Sequence, residues 1–253
     1  MGGIEKHIHQ IWIGKDTMPV RWMDTIRKTA AKYSFKYTLW REDDIEKGLD
    51  WNIVPGIKKL YDRTERLSGK CNIARLLIIY QYGGIYIDAD CVLLKPTEFM
   101  NFLEKNSGKT FFAWETLTKE HLKKFSKNIP ENSDLRGKTR IIANSVLGGK
   151  KGSPFILMLL ENLVPYSKEH KGKGSWRETG PAFVASMYES HKDDFDDVHI
   201  YPMRKFYPRD WFGITDPEFH KTIDESKMKS MFFQYGYSTN NFAKIFKTRR
   251  ASR

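Results

Sequence analysis

The stretch from residue 68 to residue 90 constrains this chain more than any other. Ser68 to Tyr82 reads as a helix. Gly83-Gly84 follows as its stop signal, because glycine takes the left-handed conformation after a helix at no steric cost. Ile85 to Asp88 then reads as a strand, Asp90 follows it, and Cys91 to Leu94 is a second extended piece ended by Lys95-Pro96. A helix that feeds directly into a strand tipped with two acids is an α/β arrangement. In such sheets ligands sit beyond the carboxyl ends of the strands.

Side chains alternate along a strand with period two, so Asp88 and Asp90 project to the same side if the backbone stays extended through Ala89. Their Cα atoms would then be roughly 6–7 Å apart. Two carboxylates at that spacing repel each other, and a hard divalent cation such as Mg²⁺ or Mn²⁺ removes the penalty. By itself D-x-D is a weak signal that also fits an acidic turn. Its setting, after a helix, two glycines and an aromatic-rich strand, makes it specific.

The rest of the chain continues the alternation. His7 to Ile13 reads as a buried strand ending at Gly14, Pro19 to Lys32 as a helix, and Phe35 to Trp40 as a second strand. Asp43 or Asp44 is placed to cap a short helix, and Pro55 opens another that runs to about Leu67. Phe111 to Trp114 and Arg140 to Leu147 read as strands, Pro154 to Leu163 and Pro181 to Ser190 as helices, and 172–180 as a loop. Val198 to Tyr201 and Met231 to Tyr237 are the last strands, with a basic helix closing the chain. Residues 115–139, polar and lysine-rich, read as a helix followed by a loop. The expected fold is α/β, a mixed, mostly parallel sheet with helices on both faces.

Asn72 and Arg75 lie three residues apart and share a helix face, from which an arginine can reach a phosphate or a ribose. The alternative is a surface arginine paired with a nearby acid. His9-Gln10-Ile11-Trp12 ends the first strand on the same side of the sheet as D-A-D. Trp12 there can stack on a nucleobase, or simply pack in the core, and His9 fits an ordinary hydrogen-bonded histidine.

Composition sets limits on partners. The formal charge of +12 points to anions: nucleotide phosphates, nucleic acid or an acidic membrane surface. The densest basic run, Lys244 to Arg253, is a solvated tail or a membrane-surface contact. No recognised nucleic-acid motif accompanies the charge. Two cysteines, Cys71 and Cys91, form neither a disulfide framework nor a zinc motif. No apolar run reaches the roughly 18–20 residues needed to span a bilayer. No signal peptide precedes the first strand, and Lys6 stands where a myristoylation signal needs Ser or Thr. A cytoplasmic enzyme, with peripheral membrane association as an option, is the expectation.

Three functions compete. A sugar transferase uses the acids to hold a cation against a nucleotide sugar. An aspartyl-phosphate phosphatase would use Asp88 as nucleophile and Asp90 as general acid, since D-A-D-C-V fits its pattern; those enzymes place the motif on an early strand, and here about 85 residues precede it. A basic nucleic-acid or ligand-binding module would rest on charge alone.

Taken in order, I-H-Q-I-W-I-G, N-I-A-R-L-L-I-I-Y-Q-Y-G-G-I-Y-I-D-A-D, I-I-A-N-S-V-L-G-G and T-G-P decide among them. This series resembles the D-x-D sugar-transferase family of the yeast initiating α-1,6-mannosyltransferase and the inositol-phosphoceramide mannosyltransferases. It is more distantly similar to the glucosyltransferase domains of large clostridial toxins. The resemblance implies a GT-A-like (Rossmann-like) fold, a UDP- or GDP-linked sugar donor, a Mn²⁺ or Mg²⁺ cofactor and retention of anomeric configuration. It implies that Trp12 stacks on the base, with Gln10 and Ile11 lining its pocket, and that Arg75 contacts the donor. Asp88 would face ribose or sugar hydroxyls, Asp90 would bind the metal with Asp88, and Asn144 and Thr179-Gly180-Pro181 would line the sugar and acceptor side. The acceptor would be a carbohydrate, lipid or protein hydroxyl. One domain over 1–253 is implied, with a nucleotide-binding part to about residue 95, an acceptor-side part over about 96–240 and a basic tail over 241–253. Residues 115–139 and the C-terminal segment are candidates for a lid that excludes water.

Two departures from the family pattern stand out. Asn72 occupies a position where the family usually has Asp. The late histidine-rich segment is replaced by Phe233-Gln234-Tyr235-Gly236-Tyr237-Ser238-Thr239-Asn240-Asn241, in which Gln234, Ser238, Asn240 or Asn241 would supply a third metal ligand, Asn240 being the first choice.

Overall fold

A computed structural model describes residues 3–116, 140–209 and 224–236. The sequence readings at Ser238, Asn240 and Asn241, over 117–139 and over the basic tail lie outside the described residues.

The main sheet has six strands: β1 (His7–Ile11), β2 (Lys36–Trp40), β3 (Gly84–Ile87), β5 (Thr110–Thr116), β6 (Arg140–Gly149) and β7 (Val198–Tyr201). They lie in the order β2-β1-β3-β6-β5-β7. β1 is parallel to β2 and β3, and β5 is parallel to β7, while β6 runs antiparallel to both its neighbours. Five strands therefore share one direction, and the sheet is mixed and mostly parallel. A separate two-stranded ribbon joins β4 (Cys91–Leu93) to β8 (Phe232–Gln234), antiparallel, with Cys91 opposite Gln234.

Strand alternation divides the core in two. Ile85 and Ile87 of β3 point into one cluster with α1 (Val20–Lys32) and α5 (Pro96–Lys105), through Ile26, Phe99 and Phe102. Tyr86, between them, points to the opposite cluster. That second cluster is built from α2 (Glu42–Gly48), α3 (Ile57–Arg63), α4 (Leu67–Tyr82), α6 (Pro154–Glu169) and α8 (Pro181–His191). Helix α4 is buried along Ile73–Ile79 because it is apolar nearly all round, as a helix sandwiched between a sheet and other helices must be.

The glycine pair does more than end α4. Gly84 has φ 90°, and a Cβ there would lie 2.2 Å from the His7 carbonyl oxygen. Only glycine lets β3 start this close to β1.

Several local expectations need correction. The helix after Pro55 stops at Arg63, and α4 begins separately at Leu67. Helix α2 starts after Arg41, and Asp44 serves it from the third helical position by accepting the Arg41 backbone N–H at 2.9 Å. Helix α5 has no counterpart in the sequence reading, and the 172–180 loop contains a short helix, α7 (Ser175–Glu178). Glu115 and Thr116 continue β5 rather than beginning a helix.

Candidate functional site

A cavity of about 640 Å³ opens where β1, β3 and β5 end, against the first two turns of α4 and the middle of β6. Its wall includes Trp12, Asn72, Arg75, Asp88, Asp90 and Asn144, brought from four separate elements.

The acids reach it by a turn, not by an extended strand. β3 ends at Ile87, and the Cys91 N–H donates to the Asp88 carbonyl at 3.0 Å, which closes a tight turn through Ala89. It is therefore this turn, and not period-two alternation, that brings Asp88 and Asp90 to the same cavity. The turn is fixed from both flanks. The Asp88 N–H donates to the Ser145 carbonyl at 2.7 Å, and the Tyr235 N–H donates to the Asp90 carbonyl at 3.0 Å.

Asp88 is held by its side chain as well. Tyr86 donates its hydroxyl to Asp88 Oδ1 at 2.6 Å, and Arg75 approaches the same oxygen at 3.1 Å. Burial raises the Asp88 carboxyl above its ordinary value, outweighing the opposing pull of Arg75 and Tyr86. Arg75 is 4% exposed, and its guanidinium lies 4.6 Å from the centre of the Tyr86 ring. It also donates to the Cys71 carbonyl at 3.2 Å and to the Asn144 carbonyl. Burial works against its charge, but Asp88 and Tyr86 raise its pKa above the ordinary arginine value, so it is a permanent cation. Arg75 is thus a buried brace among α4, β3 and β6 that also forms part of the cavity wall.

Asp90 is 8% exposed, and Gln234 donates its amide Nε2 to Asp90 Oδ1 at 3.3 Å. The β4–β8 ribbon brings this glutamine from the far end of the chain. The ribbon is clamped on α1, where Trp22 and Tyr235 stack at 4.4 Å. Among the described residues no group of three or more His, Cys, Asp or Glu side chains is arranged to hold a metal ion. The two acids with Gln234 as a potential oxygen ligand still fit a hard divalent cation, which accepts a sphere completed by water and phosphate oxygens.

The first strand divides its residues differently from the sequence reading. Ile11 and the half-buried Trp12 line the cavity, and the Trp12 indole donates to the Asp16 carbonyl at 3.1 Å. Gln10 does not line it. Fully buried, it accepts the Tyr37 hydroxyl at 2.8 Å and donates to the Asp88 carbonyl at 3.3 Å, supporting the acid turn from behind. His9 is structural: Trp40 donates to its Nδ1 at 3.1 Å, and its Nε2 lies 2.9 Å from the Gly83 carbonyl. Those partners fix the neutral tautomer with the proton on Nε2. Burial lowers its pKa to about 3, and that of neighbouring His7 to about 4.

Asn144 and Pro181 line the cavity, while Thr179 is buried and faces a second cavity. The sequence reading missed Glu115, an 8% exposed carboxylate at the end of β5 that also lines the first cavity. It shares a strand face with Phe111 and Ala113, and that alternation was the available signal. Tyr207 was missed too; buried in the wall, its oxygen accepts the Ser145 hydroxyl at 2.8 Å.

Known proteins match this region. Residues 19–109 match the glycosyltransferase sugar-binding region containing the DXD motif. An uncharacterized glycosyltransferase of Acanthamoeba polyphaga mimivirus is 36% identical over 94 residues, 35% of this chain and 36% of that protein. Inositol phosphoceramide mannosyltransferase 3 of Schizosaccharomyces pombe is 23% identical over 190 residues, 74% of this chain and 45% of that protein. The chain thus spans less than half the length of these two relatives. Among solved structures, the PaToxG glycosyltransferase aligns with a TM-score of 0.49 at 17% identity, over 77% of this chain and 72% of that one. The matched residues, 19–109, carry the α4–Gly83–Gly84–β3 unit and both acids, so the likeness to the glycosyltransferase sugar-binding region containing the DXD motif falls on the part of the chain that builds the cavity.

Proposed function

We propose that this protein transfers a hexosyl group from a UDP- or GDP-linked sugar to an acceptor hydroxyl on a glycan, glycolipid or protein, with retention of configuration. One observation carries the reading: Asp88 and Asp90 enter a single cavity of about 640 Å³ together with a buried, permanently charged arginine. That volume is within the range of sites for ligands of nucleotide-sugar size.

Asp90, Asp88 and Gln234 are the residues that would hold Mn²⁺ or Mg²⁺. When bound, such a cation supplies Lewis-acid stabilisation of the charge that develops on a diphosphate leaving group. The remaining work falls to the chain itself. Trp12 offers a flat apolar face for the base. Arg75 contributes a fixed positive charge that needs no reorganisation as the leaving group becomes more negative. Asp88, with its Oδ1 tied to Tyr86 and Arg75, presents its other oxygen to donor hydroxyls. Asn144 and Glu115 flank the sugar end. Anionic membrane surfaces remain a further proposed partner of the basic chain; among the described residues no helix is long and apolar enough to cross a membrane.

Thermal stabilisation tests binding separately from chemistry. UDP or GDP with Mn²⁺ raises the melting temperature, and neither nucleotide nor metal alone does so to the same extent. Release of phosphate from phosphomonoesters, with no response to either nucleotide, would favour the aspartyl-phosphate reading instead.

A further inference from the structure

Asn72 is occupied in an unusually complete way. Its amide Nδ2 donates to the Ser175 carbonyl at 3.3 Å and to Thr179 Oγ1 at 3.2 Å. Its Oδ1 accepts from Asn144 Nδ2 at 3.1 Å. The side chain is buried, so none of these bonds is readily exchanged for water.

One of the partners settles the orientation of all of them. A backbone carbonyl can only accept, so the atom of Asn72 that faces Ser175 must be nitrogen. Its oxygen then faces Asn144, and the atom that Asn144 turns to it must be nitrogen as well. Asn144, which lines the cavity, is left with its Oδ1 as the acceptor that the bond to Asn72 does not use. The Asn144 carbonyl is held independently by Arg75. The polarity of a group in the cavity wall is therefore dictated from one helix away.

The same bonds seat the segment from Ser175 to Pro181 on α4. Ser68 Oγ and Ser175 Oγ, 2.8 Å apart, add a second tie. The fit leaves no slack: a Cβ on Gly180 would lie 2.8 Å from Asn72 Nδ2 and 2.9 Å from the Ser175 carbonyl oxygen. This segment is a partition. Ser175 borders both the first cavity and a second one of about 420 Å³, which Thr179 also lines.

We propose that Asn72 is a positioning residue, which fixes Asn144 with its acceptor oxygen toward the sugar end of the cavity and holds the Ser175–Pro181 partition against α4. Its action at the reacting sugar is through Asn144, not by its own contact. The role in turnover rests on the transferase reading above; the role in holding the partition does not. A carboxylate cannot replace the amide, because it has no hydrogen to offer the Ser175 carbonyl.

Two variants separate the parts. Asn72→Asp keeps an acceptor for Asn144 and loses the donors to the partition. Asn72→Ala loses both. Hydrogen–deuterium exchange of the ligand-free protein should rise over residues 174–181 in both variants, with exchange in β1 and β3 unchanged. With whichever sugar nucleotide the wild type hydrolyses, kcat should fall about tenfold in Asn72→Ala and less in Asn72→Asp, each KM staying within about twofold. Should Asn72→Ala not fold, Asn72→Asp and Thr179→Val carry the exchange test. Unchanged exchange over 174–181 in Asn72→Asp overturns the proposal, as does a raised donor KM with kcat intact, which would mark a direct donor contact. A wild type that hydrolyses no sugar nucleotide counts against the transferase reading, while the exchange result still decides the partition.

Discussion

Arg75 Nη2 lies 3.1 Å from Asp88 Oδ1, and the pair is enclosed between helix α4 and the end of β3. The guanidinium is also bonded to the carbonyls of Cys71 and Asn144, so one side chain ties a helix turn, the acid turn and β6 together. Arg75→Met strips the carboxylate of its counter-charge and should cost about 3 kcal/mol, the low end for a broken buried pair because Asp88 retains some solvent contact. Arg75→Lys keeps the charge but not the planar fork, and leaves at least one carbonyl unsatisfied at about 1–3 kcal/mol. Urea unfolding of both variants checks the order; equal stability of Arg75→Lys and wild type would contradict the brace.

The two buried histidines make stability depend on pH. His9 and His7 have native pKa values lowered to about 3 and about 4, from 6.5. Below 6.5 the unfolded chain therefore binds protons that the native protein refuses, so their contribution is full at neutral pH and is lost as pH falls towards 4 and then 3. Between pH 7 and pH 5 the loss is about 2 kcal/mol for His9. Denaturation midpoints at the two pH values, in wild type and His9→Gln, measure it: the wild-type slope should be the steeper.

Gly84→Ala tests the close approach of β3 to β1. An added Cβ would stand 2.2 Å from the His7 carbonyl oxygen, in a backbone conformation with φ 90°. Displacing β3 moves the acid turn at its end. The expected result is a loss of about 3 kcal/mol or failure to fold at 37 °C, read by thermal melting.

Glu115→Gln removes a charge from the cavity without changing its shape. Its position in the cavity wall at the end of β5 predicts a lowered kcat in this variant. Wild-type kcat and KM in this variant would exclude Glu115 from the reaction.

The local parts of this fold are legible in the sequence, and the long-range parts are not. Helix α4, its glycine stop and β3 follow from apolar pattern and from the backbone freedom of glycine, and β7 has the bounds that alternation predicts, Val198–Tyr201. Helix α5 is missed although its signals are local: Pro96 at the first helical position, Glu98 in the first turn, Lys105 in the last, and Phe99, Met100, Phe102 and Leu103 at helical spacing. The antiparallel direction of β6 depends on packing between strands, which local pattern does not encode. Gln234 entered the sequence reading only as one of four candidates through the family resemblance; the pairing of Cys91 with Gln234 is what brings it to Asp90 across 144 residues. Gln10 shows the reverse error. Adjacent to the cavity-lining Ile11, it points to the other face of β1, where Tyr37 and the Asp88 carbonyl use its amide.

The central claim is that the acid turn binds a cation and a nucleotide sugar for transfer. It is tested most directly by measuring Mn²⁺-dependent hydrolysis across UDP- and GDP-linked hexoses, with wild type beside Asp90→Ala. At least one donor should be hydrolysed by the wild type to the nucleoside diphosphate, only with the metal present, and Asp90→Ala should lose that activity while unfolding like wild type. Equal rates in the two proteins, or no metal-dependent hydrolysis of any donor, would contradict the account.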